Sequence, residues 1–144
     1  MPGIVVGVDG SPGSAKALDW AMHIAASQSV PLTVLAVRHV PASHWTRNPV
    51  IMPNDADALA DVRQQVREMV EKAAAGLGAA SPAIAVKVVN GLPAGELIDA
   101  SEHADLIVVG ARGQGGFARL MLGSVSDQVV RHGKCPVAVV PNGR

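Results

Sequence analysis

Residues 110–126 read Gly110-Ala111-Arg112-Gly113-Gln114-Gly115-Gly116-Phe117-Ala118-Arg119-Leu120-Met121-Leu122-Gly123-Ser124-Val125-Ser126. The apolar run Leu106-Ile107-Val108-Val109 leads in, and a helical pattern carrying Val125, Val129 and Val130 leads out. A strand that ends in glycines and reopens as a helix is the layout of an anion site at a helix N-terminus. Glycine lets the backbone come close to a ligand. The N–H groups of the first helical turn lack partners inside the helix and point at that ligand. Gly110, Gly113, Gly115, Gly116 and Gly123 are more glycines than turns alone require over so short a span.

Working outward, the chain alternates short apolar runs with amphipathic stretches. Residues 3–9 read as a strand buried on both faces and ending in Asp9-Gly10-Ser11-Pro12. Ser11 can cap a helix with Pro12 at its first position, and Leu18, Ala21, Met22 and Ala25 give that helix one apolar stripe to about residue 29. Residues 32–37 form a second strand. Residues 41–54, with Pro41, Pro49 and Pro53, read as a long loop in which Trp45 either pins the loop to the body or closes over a ligand. A helix follows from Asp55 to about residue 78, then a strand over 83–89, a short helix from Pro93 through His103, a strand over 105–111 and a last strand over 136–140. The charged residues of the long helix, Asp61 to Lys72, read as a solvated face.

This alternation predicts a three-layer α/β/α domain spanning 1–144, with a five-stranded parallel sheet in the order 3-2-1-4-5. The switch point falls between strands 1 and 4, where open sheets of this kind bind ligands beyond the strand ends. Asp9 and Gly110 end those two strands, so the acidic turn and the glycine loop stand side by side.

The spacing Gly110-x2-Gly113-x9-Gly123-Ser124 resembles the nucleotide-binding motif of the universal stress protein family. Three further stretches resemble the same family in the same order: Ile4-Val5-Val6-Gly7-Val8-Asp9-Gly10-Ser11, Gly91-Leu92-Pro93-Ala94, and Cys135-Pro136-Val137-Ala138-Val139-Val140-Pro141. The resemblance implies an adenine nucleotide alpha hydrolase-like fold and a regulatory nucleotide-binding module. It implies that Gly7, Asp9 and the Val37 backbone line an adenine and ribose pocket, with Gly110 and Gly113 near the ribose. It places Gly123, Ser124, Val125 and Ser126 on phosphate. Val8, Ser11, Val109 and Arg112 complete the candidate nucleotide-binding set. ATP is the favoured ligand, with magnesium held in part by Asp9; cyclic AMP, bound by some members of the family, is the alternative. The resemblance also implies a homodimer through the strand Pro136–Pro141, whose core carries no charge to block pairing with a second copy.

Other readings of the same residues stay open. Asp9 is equally a turn cap beside Gly10 and Ser11, and Ser124 with Asp127 fits a capping box. A slow ATPase or self-phosphorylating protein is a rival, with Arg112 and Arg119 supplying charge. An interaction protein whose glycines are purely structural is another. Gly113-Gln114-Gly115-Gly116-Phe117-Ala118 fits one form of the dinucleotide fingerprint, but the acid that should follow about 20 residues on is absent. The chain has no Walker lysine, and Gly10 and Asn90 stand where a receiver domain needs acids.

Composition narrows the classes. Lys plus Arg and Asp plus Glu both number 12, a balance that argues against a nucleic-acid tracker or a polybasic membrane anchor. No apolar run approaches the roughly 18 residues of a membrane span, and no secretory signal is visible. The lone Cys135 leaves no internal disulfide and reads as a structural thiol, and the five histidines lack metal-ligand spacing. Together these predict a cytoplasmic protein.

Overall fold

The computed structural model describes residues 3–39, 55–111 and 123–141. Trp45 with its loop, and Arg112, Gly113 and Arg119 of the glycine stretch, lie outside the described residues. The elements in chain order are β1 (Ile4–Val8), α1 (Pro12–Gln28), β2 (Leu32–His39), α2 (Asp55–Ala75), a 3₁₀ turn (Gly78–Ala80), β3 (Ile84–Gly91), α3 (Pro93–Ser101), β4 (Leu106–Gly110), α4 (Ser124–His132) and β5 (Val137–Val140). The five strands form one parallel sheet in the order β3-β2-β1-β4-β5, as the alternation predicts. Ile4 is in register with Leu32 on one side and Leu106 on the other.

The inner strands β2 and β4 bury residues on both faces, whereas the edge strand β3 leaves Ala85 and Lys87 exposed. Ile4, Val6 and Val8 pack with Ala17, Leu18, Ala21, Met22 and Ala25 of α1 and Val66 and Val70 of α2. On the opposite face Leu35, Ile107 and Val109 pack with Leu97 of α3 and Val129 of α4. A fully buried side chain such as Leu18, Met22 or Ile107 contributes roughly 1.5–3 kcal/mol. Small residues on the α1 stripe let that helix approach the sheet closely. Asp61, Arg63, Arg67, Glu68, Glu71 and Lys72 of α2 are exposed. Ser101 ties the second layer together: it is buried, its hydroxyl donates to the Ile98 carbonyl, and it accepts the Lys134 amide at 2.8 Å.

Element ends depart from the apolar pattern where tertiary hydrogen bonds decide them. β2 and β3 run past their last apolar residues because they pair with each other, Arg38 with Asn90 and His39 with Gly91. α1 ends at Gln28 because Ser29 takes a left-handed conformation, φ 55°, and its N–H bonds back to the Ala25 and Ala26 carbonyls. α2 ends at Ala75, directly before Gly76 and a little short of residue 78, and α3 ends at Ser101, short of His103.

The expected capping box at Ser124 is not formed. Gly123 is the N-cap of α4, with extended φ −63° and ψ 160°, and its carbonyl accepts the Asp127 amide at 2.9 Å. Ser124 is therefore the first helical residue, one position too late to cap. The Asp127 carboxylate instead takes two 3.1 Å hydrogen bonds from Nε of Arg131 one turn on.

Candidate functional site at the strand switch point

Beyond the C-terminal ends of β1, β2 and β4 lies a cleft. It is lined by Gly7, Val8, Asp9, Ser11, Ser14, Leu35, Val37, Pro93, Leu97, Val109, Gly110, Val125 and Ser126. The topology explains the position: β1 leads to α1 on one face, β4 leads toward α4 on the other, and the gap between these diverging connections is left open. Its floor is apolar, from Leu35, Val37, Leu97, Val109 and Val125. A second hollow continues it toward α2, sharing Val8, Asp9, Val37, Pro93 and Val125 and adding Ser124, Arg38, Gln65 and Met69.

Most of the candidate residues thus surround one space. Gly123 caps α4 without lining the cleft, and Ser124 lines the adjoining hollow. The sequence reading missed Ser14, Leu35, Pro93 and Leu97. Ser14 has a local signal, standing three residues after Ser11 at a helix start. Leu97 has none, because it reaches the cleft from α3 to pack over Gly7. A Cβ built on Gly7 would stand 3.0 Å from Cδ1 of Leu97 and 3.1 Å from its Cδ2, so the missing side chain keeps this floor recessed.

Two helix N-termini meet the cleft, and they differ. That of α1 is closed by its own residues. Asp9 Oδ1 accepts the Ser11 amide at 2.9 Å, Ser11 Oγ accepts the Ser14 amide at 3.2 Å, and Pro12 has no N–H to offer. The Ser14 hydroxyl donates to the Ser11 carbonyl and accepts the Asp9 amide. Gly10 makes the turn between them at φ 83°, where a side chain would be strained. The turn-cap role open to Asp9 is therefore real. The N-terminus of α4 has no such closure among the described residues: its cap residue is glycine, and no described side chain caps it. Those amides carry the positive end of the helix dipole.

Elsewhere, Cys135 is half-buried, and its thiol donates to the Pro136 carbonyl at 3.4 Å. Burial pushes its pKa up, a hydrogen bond to the Ile107 backbone opposes this, and the Asp105 charge adds to the rise. Among the described residues no three His, Cys, Asp or Glu side chains are grouped to hold a metal ion, and no helix is long and apolar enough to cross a membrane.

A parallel sheet flanked by helices, with an apolar cleft at its switch point beside the N-terminus of α4, defines the class: a doubly wound α/β domain. The chain belongs to the universal stress protein family, whose family model matches residues 2–141. Universal stress protein Rv2005c of Mycobacterium tuberculosis is 35% identical over 139 residues, 96% of this chain and 47% of the relative. The chain therefore spans about half the length of the curated relatives it matches. Universal stress protein UspA from Lactobacillus plantarum has a similar fold, with a TM-score of 0.72 and 25% identity, covering 96% of this chain and 97% of that one. A universal stress protein solved in complex with cAMP is 29% identical with a TM-score of 0.71, covering 99% of this chain and 98% of that one.

Proposed function

We propose that the chain is a regulatory module that binds an adenine nucleotide in the switch-point cleft, with ATP the favoured ligand. The observation that carries this reading is the contrast between the two helix N-termini. In the first turn of α1 only the Gly13 amide is left, since Pro12 has no N–H and the Ser14 amide is bonded to Ser11 Oγ, whereas the Ser124, Val125 and Ser126 amides of α4 have no side-chain cap among the described residues. More free amides stabilise an external anionic group at α4 than at α1, where Asp9 already supplies a carboxylate. The phosphates then lie at α4, and the base occupies the apolar floor formed by Leu35, Val37, Leu97 and Val109. Magnesium would come with the phosphates, Asp9 contributing one carboxylate, as a cation that commonly keeps waters and few protein ligands does.

The test is isothermal calorimetry with ATP on wild type and Gly123→Val. The variant places a branched side chain at the mouth of the amide cluster and is expected to lose binding while remaining folded. Unchanged affinity would overturn the site. Mass spectrometry of nucleotide released from denatured, freshly purified protein identifies the natural ligand.

The cAMP complex of the 29% identical relative favours a second reading, cyclic AMP as the ligand. Cyclic AMP carries one phosphate charge and needs no magnesium. Competition titrations with and without magnesium separate the two. Tight, magnesium-independent binding of cyclic AMP beside weak ATP would reverse the ranking.

The same proposal makes the protein cytoplasmic, without a nucleic-acid partner, and not an efficient enzyme. Phosphoryl transfer needs a positioned nucleophile and charge stabilisation besides the metal, and the Ser124 hydroxyl is hydrogen-bonded to no base among the described residues. Steady multiple-turnover phosphate release from pure protein would overturn this part. The homodimer through Pro136–Pro141 also belongs to the proposal. The Pro136 and Val140 carbonyls accept the Ile107 and Ala111 amides, so by strand alternation the Val137 and Val139 amides face away from β4. Those outward donors are what a second copy would pair with.

A further inference from the structure

Ser126 is only 3% exposed, and its Oγ lies 3.1 Å from the Ala111 carbonyl oxygen and 3.0 Å from that of Gly123. Both neighbours are acceptors, and a hydroxyl has one proton to donate. That proton is already committed to the backbone. An ionised phosphate offers only acceptors, so Ser126 could serve it only by abandoning these carbonyls. Ser124, two residues earlier, is exposed, and its hydroxyl has no hydrogen-bond partner among the described residues.

The bonds around Ser126 converge on one peptide. The Ala111 carbonyl also accepts the Gly123 amide at 2.7 Å, and the Ala111 amide donates to the Val140 carbonyl at 2.9 Å. Ala111 is where the chain leaves β4, and Gly123 is where α4 begins. The end of β4 and the start of α4, twelve residues apart at Ala111 and Gly123, are thereby joined, and the first turn of α4 is fastened to the sheet.

We propose that Ser126 is a positioning residue that clasps the N-terminus of α4 to Ala111, so that the open amides face the cleft before any ligand arrives. Restraint in the free protein removes an ordering cost that binding would otherwise carry. The inference rests on the phosphate assignment above; it removes the Ser126 hydroxyl from the set of direct phosphate contacts and leaves that part to Ser124 and the backbone.

The experiment pairs amide exchange with ligand titration on wild type, Ser126→Ala and Ser124→Ala. In the ligand-free protein, Ser126→Ala is expected to speed Gly123 amide exchange about fivefold or more relative to the Val108 amide in the core, the worth of roughly one neutral hydrogen bond. It is expected to weaken ATP by a similar factor and to leave adenosine, which has no phosphate, unchanged. Ser124→Ala should weaken ATP without altering Gly123 exchange. A purely structural role would weaken ATP and adenosine alike, and a direct phosphate contact would weaken ATP with Gly123 exchange unchanged. Either result overturns the proposal, as does Ser126→Ala behaving like wild type. If Ser126→Ala does not fold, Ser126→Cys, similar in size with a weak donor, is judged by the same readouts. Should wild type bind no adenine nucleotide, the phosphate reading fails, but Gly123 exchange still decides whether the clasp exists.

Discussion

The backbone of Gly110, the last residue of β4, lies directly against the backbone of Gly13 in the first turn of α1. A Cβ built on Gly110 would stand 3.0 Å from the Gly13 carbonyl oxygen and 3.1 Å from its carbonyl carbon. The obstacle is main chain, which cannot rotate aside as a side chain can. Glycine at 110 is therefore favoured by helix–sheet packing, whatever it does for a ligand, because a Cβ there would push α1 back by a few tenths of an ångström. Gly110→Ala should destabilise the protein by roughly 1–3 kcal/mol through overpacking, read as a lower urea midpoint with unchanged slope. Wild-type stability in this variant would show that α1 yields easily.

Asp9 separates folding from binding. Its Oδ1 accepts the Ser11 amide, and an asparagine oxygen can do the same. Asp9→Asn should leave the melting temperature of the ligand-free protein nearly unchanged. The loss of charge should weaken ATP in magnesium about tenfold, roughly 1.4 kcal/mol. A lower melting temperature with unchanged affinity would reduce Asp9 to a turn cap.

Val139 tests the edge strand. Its amide faces away from β4, so Val139→Pro removes an outward donor without breaking the β4 ladder. The expected outcome by light scattering is a dimer for wild type and a folded monomer for the variant. A wild-type monomer at tens of micromolar, or a folded variant that stays dimeric, counts against this interface.

Ser29 carries the one positive φ of a non-glycine residue among those described, at φ 55°. It is exposed, and its N–H bond to α1 does not involve the side chain. Ser29→Gly should relieve the left-handed backbone and raise stability by up to about 1 kcal/mol, less whatever glycine gains in the unfolded chain. Thermal denaturation checks the sign, and a destabilised variant would refute it.

Cys135 holds its proton to higher pH than an ordinary thiol, chiefly because of burial. Unfolded chains lose that proton first, so the Cys135 contribution to stability is complete below the ordinary thiol pKa and is lost as pH rises through the raised value. At neutral pH the thiolate fraction is small, and iodoacetamide should alkylate native Cys135 more slowly than the urea-unfolded chain. Equal rates would remove the burial argument.

The sequence alone determined the layered α/β architecture, the strand order and most of the residues around the cleft. The elements are local features: apolar runs long enough for buried strands, the Ser11-Pro12 helix start, and glycines after Val109; the strand order follows from right-handed crossovers, and most of the cleft residues from the resemblance to the family. The tertiary structure decided what depends on which elements become neighbours. It set Gly110 against Gly13, Leu97 over Gly7, and the pairing that carries β3 on to Gly91. It also separated two serines that look equivalent in the Gly-Ser-Val-Ser run. Ser126 turns inward to two carbonyls, one of them that of Ala111, while Ser124 remains exposed at the first helical position. Helical spacing puts these hydroxyls on different sides of α4, and only the position of the β4 end determines which of them is occupied.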